Sequence, residues 1–280
     1  MDLITLEQYS FTVTFIAYMV AAILYIVYLG YKNDNLAKLA TLATVIGLIS
    51  NTVLLVARWI ISGHPPFING YEFLVSFTWG IALLYLYAEW RYKLNIIGAF
   101  VMPIAWLLLA YIAVIMPTNM RNAENLMPAL QSDWLTIHVA TAMVSYGAFA
   151  VSVGVSIMYL IKQSMENSRS RSDFNKRMPS LDVLDDISYK FIAIGFPLLS
   201  IVIISGAIWA EYAWGRYWSW DPKETWSLIT WLVYAAYLHA RFTYGWRGNR
   251  AAWMSILGFM FVLFTFFGVN YVLSGIHSYG

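Results

Sequence analysis

Long apolar runs separated by short polar segments dominate this chain. A helix rises about 1.5 Å per residue, so roughly 20 apolar residues cross a hydrocarbon core about 30 Å thick. Eight runs meet or nearly meet that length: 10–31, 39–61, 72–90, 95–116, 134–161, 190–211, 224–242 and 253–273. The pattern predicts an all-α fold, a polytopic membrane helix bundle of about eight transmembrane helices.

Composition supports the membrane class and excludes several kinds of site. Apolar residues make up 60% of the chain and charged residues 11%, whereas soluble domains carry about 25% charged residues. The chain contains no cysteine, so it has no disulfide, thiolate metal site or cysteine nucleophile of its own. A net charge of +2 gives no reason to expect a nucleic acid partner.

Lysine and arginine are distributed unevenly between the two sets of loops. Arg58, Arg121, Arg216 and Lys223 lie in one set, and the remaining thirteen of the seventeen lie in the other. Cytoplasmic loops carry the excess of positive charge. We therefore predict that both termini and the Trp-rich stretch near residue 220 lie outside.

A polar stretch at 162–190 divides the apolar runs into two groups. We interpret 1–280 as a single integral membrane domain. It consists of a five-span bundle (1–161), a cytoplasmic connector (162–190) and a three-span part (191–280), whose external segment is 212–226.

The stretch WGRYWSWDPKETW contains four tryptophans around an Asp-Pro-Lys-Glu turn. Aromatic faces with nearby charges suit a flat apolar ligand that has a polar edge. The candidate platform comprises Trp214, Gly215, Trp218, Trp220, Asp221 and Trp226. Either Arg216 or Lys223 could contact an acidic group of the ligand. Two simpler interpretations stay open: an interfacial aromatic belt, and an N-terminal cap in which Asp221 precedes Pro222 at the first helical position.

The four histidines of the chain differ in predicted depth. His138 and His277 lie at the outer ends of their spans, and His64 lies in an outer loop. His239 follows Trp226 by 13 residues, about 20 Å along a helix, in the inner half of the bilayer. Neutral imidazole is a good axial ligand for haem iron. A structural, hydrogen-bonded role is the alternative for each.

These residues carry a family resemblance. WGRYWSWDPKETW, preceded by His138 and followed by His239 and His277, resembles the signature of the CcsA (ResC) family, the haem-handling WWD subunit of the system II cytochrome c synthase. The stretch 69–74 (NGYEFL) is similar to the family's Asn-x-Tyr-Glu-Ser, with Phe73 in place of the serine. The resemblance covers most of the chain and is strongest from Trp134 onward.

The resemblance implies a function in cytochrome c biogenesis, as a subunit of a holocytochrome c synthase (haem lyase) complex. Such a subunit binds haem b, moves it across the membrane and presents it to the CxxCH motif of apocytochrome c. It implies His138 and His277 as outer axial ligands of the haem iron, and His239 as a transmembrane ligand paired with a partner's histidine.

The same resemblance implies partners and a location. The partners are a CcsB/ResB-like membrane subunit, apocytochrome c and a thiol-reducing thioredoxin-like protein. The location is the bacterial cytoplasmic membrane or the thylakoid membrane. No catalytic nucleophile is expected in the chain, because the substrate's thiols provide it.

Other classes remain to be weighed. A CcmC/CcmF-type haem exporter or chaperone would share the Trp motif. An electron-transferring cytochrome b subunit usually places two ligand histidines on one helix, and no predicted span here has two. A transporter would show two symmetric halves, and the sequence shows no such symmetry.

Overall fold

The computed structural model describes residues 2–31, 33–122, 130–168, 175 and 177–269. Over these residues the protein is almost entirely helical and has no strand, which confirms the predicted fold class. The described residues contain eight α-helices: α1 (Leu3–Gly30), α2 (Asp34–Ser62), α3 (Gly70–Tyr92), α4 (Gly98–Val114), α5 (Asp133–Asn167), α6 (Leu181–Trp214), α7 (Pro222–Tyr244) and α8 (Asn249–Leu263).

Seven helical segments in the described part are long and apolar enough to cross a membrane. They contain α1 to α6 and α8, which identifies an integral membrane protein with several spans. Helix α7 is not among them, because ionisable and polar residues such as Glu224, His239 and Arg241 lower its hydropathy. The count of eight spans and the external position of both termini therefore stay predictions.

Local capping signals set the boundaries of the helices near the Trp-rich stretch. Helix α6 ends at Trp214, where Gly215 adopts a left-handed conformation (φ 72°) that favours glycine. Helix α7 begins at Pro222, and the side chain of Asp221 accepts a hydrogen bond from Lys223 N. The carboxylate of Glu224 accepts one from Asp221 N in return, which completes a capping box. The predicted cap at Asp221 and Pro222 is confirmed.

Helices α5 and α6 extend further into the polar stretch than the sequence suggests. Helix α5 continues to Asn167 and α6 begins at Leu181, so the interval predicted as a connector, 162–190, is helical at both ends. Ion pairs one turn apart, Lys162–Glu166 (3.2 Å) and Asp186–Lys190 (2.6 Å), support these helix ends. Residues that are polar enough for a loop can thus continue a helix beyond the apolar core.

Helix α5 forms the centre of the bundle and packs against α3, α4, α6 and α8. It crosses α3 at Gly80 and Gly147, where the backbones touch. A Cβ on Gly80 would lie 2.5 Å from Met143 O, and one on Gly147 would lie 2.8 Å from Gly80 O. Small residues allow such close approaches between membrane helices. This crossing brings the beginning of α3 beside the N-terminal half of α5, where Phe73 contacts Tyr146.

Candidate functional site

A large cavity opens beside the loops that precede α3 and α7. The space between its walls, including the open mouth, measures about 1210 Å³. Its lining is mostly apolar and aromatic with a few polar groups, which is typical of a ligand site.

Helices α3, α5, α6 and α7, the π-helical turn after α8 and the loops between helices supply the described walls. On α5 the lining residues follow helical spacing, so that they share one face, and the facing wall of α6 contains a glycine and an alanine. The lining of these two helices consists of Leu135, His138, Val139, Ala142, Tyr146, Val202, Ile203, Gly206, Ala207 and Trp209. The remaining walls consist of Phe67, Ile68, Asn69, Gly70, Phe73, Leu130, Tyr217, Trp218, Lys223, Glu224, Ser227, Thr265 and Phe266.

His138 is held in the cavity wall by the backbone of α6. Its Nδ1 lies 2.7 Å from the carbonyl oxygen of Val202. A carbonyl oxygen can only accept, so Nδ1 carries the hydrogen, and in the neutral ring the lone pair resides on Nε2. A histidine whose other nitrogen donates to a carbonyl is the usual arrangement of an imidazole that coordinates a metal.

Trp218 and Lys223 add polar groups to a mostly apolar wall. The indole Nε1 of Trp218 is buried and has no hydrogen-bond partner among the described residues. Lys223 precedes the predicted span 224–242. Burial lowers the pKa of its amine to about 8, while the nearby Asp221 acts in the opposite direction. An indole N–H and an amine beside an aromatic wall fit a carboxylate carried on an apolar body.

The Trp-rich stretch does not form one continuous platform. Of its four tryptophans, only Trp218 lines the cavity. Trp214 packs against Trp209 with ring centroids 4.9 Å apart, and Trp226 packs against Phe261 and Phe264 of the α8 region.

The other predicted platform residues lie around this wall. Trp220 is 69% exposed and has a left-handed φ of 59°. Asp221 is buried as the cap of α7, whereas Gly215 and Arg216 are exposed. Helix α6 ends at Trp214, so Trp214 and Trp218 do not lie on one helical face.

His239 and His64 are not among the residues that line the cavity. His239 is exposed on α7, one helical turn before Thr243, whose Oγ1 is 3.5 Å from His239 Nδ1. His64 is buried in the loop before α3. His277 lies outside the described residues, so its pairing with His138 stays a prediction.

Several lining residues were not expected from the sequence. Phe73 stacks on Phe266, with ring centroids 4.6 Å apart and planes at 17°. Phe266 belongs to a π-helical turn, Phe264–Gly268, that follows α8, and such turns are frequent at functional sites. Tyr146 could have been found, because it lies eight residues after His138 and thus on the same face of α5.

Comparison with known proteins places this bundle in a class. The family model described as "Cytochrome C assembly protein" matches residues 67–277. A solved structure of the cytochrome c haem lyase CcmF superposes with a TM-score of 0.70 at 16% sequence identity. The match covers 95% of this chain and 47% of the CcmF chain, so the two share a fold over about half of the longer protein.

Curated relatives narrow the class further. The cytochrome c biogenesis protein CcsA of Guillardia theta is 40% identical, over 98% of this chain and 96% of the relative. CcsA of Picosynechococcus sp. is 36% identical, over 100% of this chain and 99% of the relative. The chain belongs to the cytochrome c assembly family and, within it, to the CcsA family.

Proposed function

We propose that this chain acts in cytochrome c biogenesis by holding haem in the cavity between α5, α6 and the Trp218 loop. The observation that carries the proposal is His138, whose Nδ1 is bonded to Val202 O so that Nε2 has the lone pair for a metal. The relatives are cytochrome c biogenesis proteins by name, which supports the role in cytochrome c biogenesis.

The groups around the cavity fit haem b. The imidazole of His138 would serve as an axial ligand. Aromatic walls that include Phe73, Tyr146 and Trp218 match an apolar macrocycle. The amine of Lys223 and the buried Nε1 of Trp218 would receive a propionate. Arg216, the other candidate for that contact, is exposed and outside the cavity lining.

The chain's own task is positioning. Bound haem supplies two vinyl groups, to which the cysteine thiols of the CxxCH motif of apocytochrome c add. The chain therefore needs no nucleophile. Its residues restrict the orientation of the ligand in the open-mouthed cavity, and such restriction can lower a barrier by several kcal/mol. In this proposal the chain is a subunit of a holocytochrome c synthase complex, and His277 would supply a second ligand to the haem iron.

A second site is proposed at His239. Its side chain is exposed on α7, and its predicted depth is the inner half of the bilayer. Exposed imidazole in a membrane is costly unless another group meets it. We propose that a CcsB/ResB-like subunit covers His239 and supplies a second histidine, so that haem is bound there before it reaches the outer cavity.

The proposed setting follows the distribution of positive charge. The cavity and the Trp-rich stretch lie on the outer or lumenal side of a bacterial cytoplasmic or thylakoid membrane. A thioredoxin-like protein there would keep the apocytochrome thiols reduced.

Haem content of the purified complex tests the proposal. We expect His138→Ala to lose most of its haem, measured per protein by the pyridine haemochrome spectrum, and to lose cytochrome c maturation. Added imidazole should restore part of both, because it can fill the vacant axial position. Wild-type haem content in His138→Ala would refute the site.

A further inference from the structure

A buried ionic cluster lies directly behind the cavity wall. Arg58 of α2 has a side chain only 3% exposed. Its Nε lies 2.9 Å from Glu72 Oε1 and its Nη1 lies 3.3 Å from Glu7 Oε1. Buried ion pairs of this kind are weak evidence for added stability, and they are better explained when they specify one geometry.

The guanidinium of Arg58 also ties α2 to the segment that follows α4. Nη1 donates to the carbonyl oxygen of Arg121 at 2.9 Å, and Nη2 donates to that of Asn122 at 2.7 Å. The planar fork of arginine can satisfy carboxylates and carbonyls at once, which the single ammonium of lysine cannot do in the same geometry.

Glu72 connects Arg58 to the loop that lines the cavity. Its second oxygen, Oε2, accepts a hydrogen bond from Ile68 N at 2.9 Å. Asn69 Oδ1 accepts one from Glu72 N at 2.9 Å, and Asn69 Nδ2 donates to Asn122 O at 3.4 Å. Residues 67–70 are cavity-lining residues, whereas Arg58 and Glu72 are not part of the lining.

We infer that Arg58 and Glu72 are positioning residues that hold the cavity wall at 67–70 against the segment ending at Asn122. Neither touches the ligand space, so they act through Ile68 and Asn69. We call Arg58 and Glu72 the clamp. Arg58 precedes the residues matched by the family model, 67–277, so the clamp connects α2 to a site formed mainly by later helices. The expected effect of the clamp on haem binding rests on the proposed function, whereas the position of the wall can be measured without haem.

Two variants distinguish the hydrogen bonds of the clamp from its ion pair. Arg58→Lys keeps the positive charge beside Glu7 and Glu72 but loses the bonds to the carbonyls of Arg121 and Asn122. Glu72→Gln keeps the size of the side chain and removes the ion pair. Glu89→Gln is the matched control, because Glu89 is also a buried carboxylate of α3, held by Tyr25 and Asn95 away from the cavity.

Hydrogen–deuterium exchange on the haem-free complex follows the wall itself. We expect amides of 67–70 to exchange about tenfold faster in Arg58→Lys and Glu72→Gln, since each loses charge-assisted hydrogen bonds. Glu89→Gln should leave the exchange of 67–70 unchanged. Unchanged exchange in both clamp variants would overturn the inference.

Haem content and the Soret band of the reconstituted complex measure the effect of the clamp on haem binding. Both clamp variants should retain haem on the order of tenfold less tightly, with a shifted Soret band, and added imidazole should not restore binding because His138 is intact. Faster exchange with wild-type haem affinity would overturn the positioning role and leave the proposed function standing. An equal loss of haem in Glu89→Gln would also overturn it, since general weakening of the bundle would then suffice. If His138→Ala keeps its haem, the proposed function fails, and the exchange measurement still tells whether the clamp exists.

Discussion

The imidazole of His138 lies directly against the backbone of Gly206. A Cβ added to Gly206 would come within 2.7 Å of His138 Nδ1, the same atom that is bonded to Val202 O. One small residue on α6 thus leaves room for the ring of α5, and the carbonyl four residues earlier orients it. The way α5 and α6 cross at His138 and Gly206 therefore decides which ring nitrogen of His138 carries the hydrogen.

We expect Gly206→Ala to displace His138 and to reduce haem per purified protein severalfold, because the added methyl group occupies the position of the ring. Gly70→Ala is the control. Gly70 also lines the cavity, but its added Cβ would meet only Met116 Cε at 3.8 Å. Equal haem content in the two variants would argue against His138 as a ligand.

Lys223 predicts a pH dependence of haem binding. Its pKa is lowered to about 8 by burial, and a bound carboxylate favours the protonated amine. Haem binding therefore takes up a proton, and affinity should be highest below pH 8 and fall as the pH rises above it, by at most about tenfold per pH unit.

The variant Lys223→Met should weaken binding below pH 8 and remove this slope. Arg216→Met, which changes an exposed cation outside the lining, should keep it. Titrating haem into the purified complex between pH 7 and 9 measures both, and a slope that persists in Lys223→Met would assign the proton to another group.

Trp218 and Trp220 should differ in their effect on haem. Trp218→Ala removes a cavity wall and should lower haem per protein, whereas Trp218→Phe should preserve much of it because a flat ring remains. Trp220→Ala should leave haem content near the wild-type value, since that indole is 69% exposed. If all three variants only lower expression, the tryptophans serve as an interfacial belt.

His239 should matter in the complex with the partner. His239→Ala is expected to reduce the haem that co-purifies at the inner site, with the outer cavity unaffected when haem is added from outside. Resonance Raman or electron paramagnetic resonance spectra of the complex would show the loss of one haem population. An unchanged spectrum would return His239 to a structural role.

The orientation of the chain can be measured with reporter fusions. Fusions after Lys93 and after Ser172 should report a cytoplasmic position, and a fusion after Asn122 should report an external one, as the positive-inside rule requires. The opposite pattern would place the cavity and Lys223 on the cytoplasmic side.

Features decided by neighbouring residues were predictable from the sequence. The apolar runs identified a membrane helix bundle, because helix formation in a bilayer depends on local hydropathy. The cap at Asp221 and Pro222 was predictable because its bonds span at most three residues. His138 and Trp218 were recognisable as candidates from residue type and motif, although their surroundings were not.

Only the tertiary structure decided which candidates meet. His138 and its partner Val202 are 64 residues apart, and the Phe73–Phe266 stack joins α3 to the turn that follows α8. The left-handed Gly215 ends α6 and separates Trp214 from Trp218, so Trp214 packs against Trp209 while Trp218 lines the cavity. The sequence does not predict that Arg58 and Glu72 meet, yet they form a buried clamp. Contacts between distant segments depend on how the helices cross, and helix crossings are set by packing of the whole bundle rather than by local sequence.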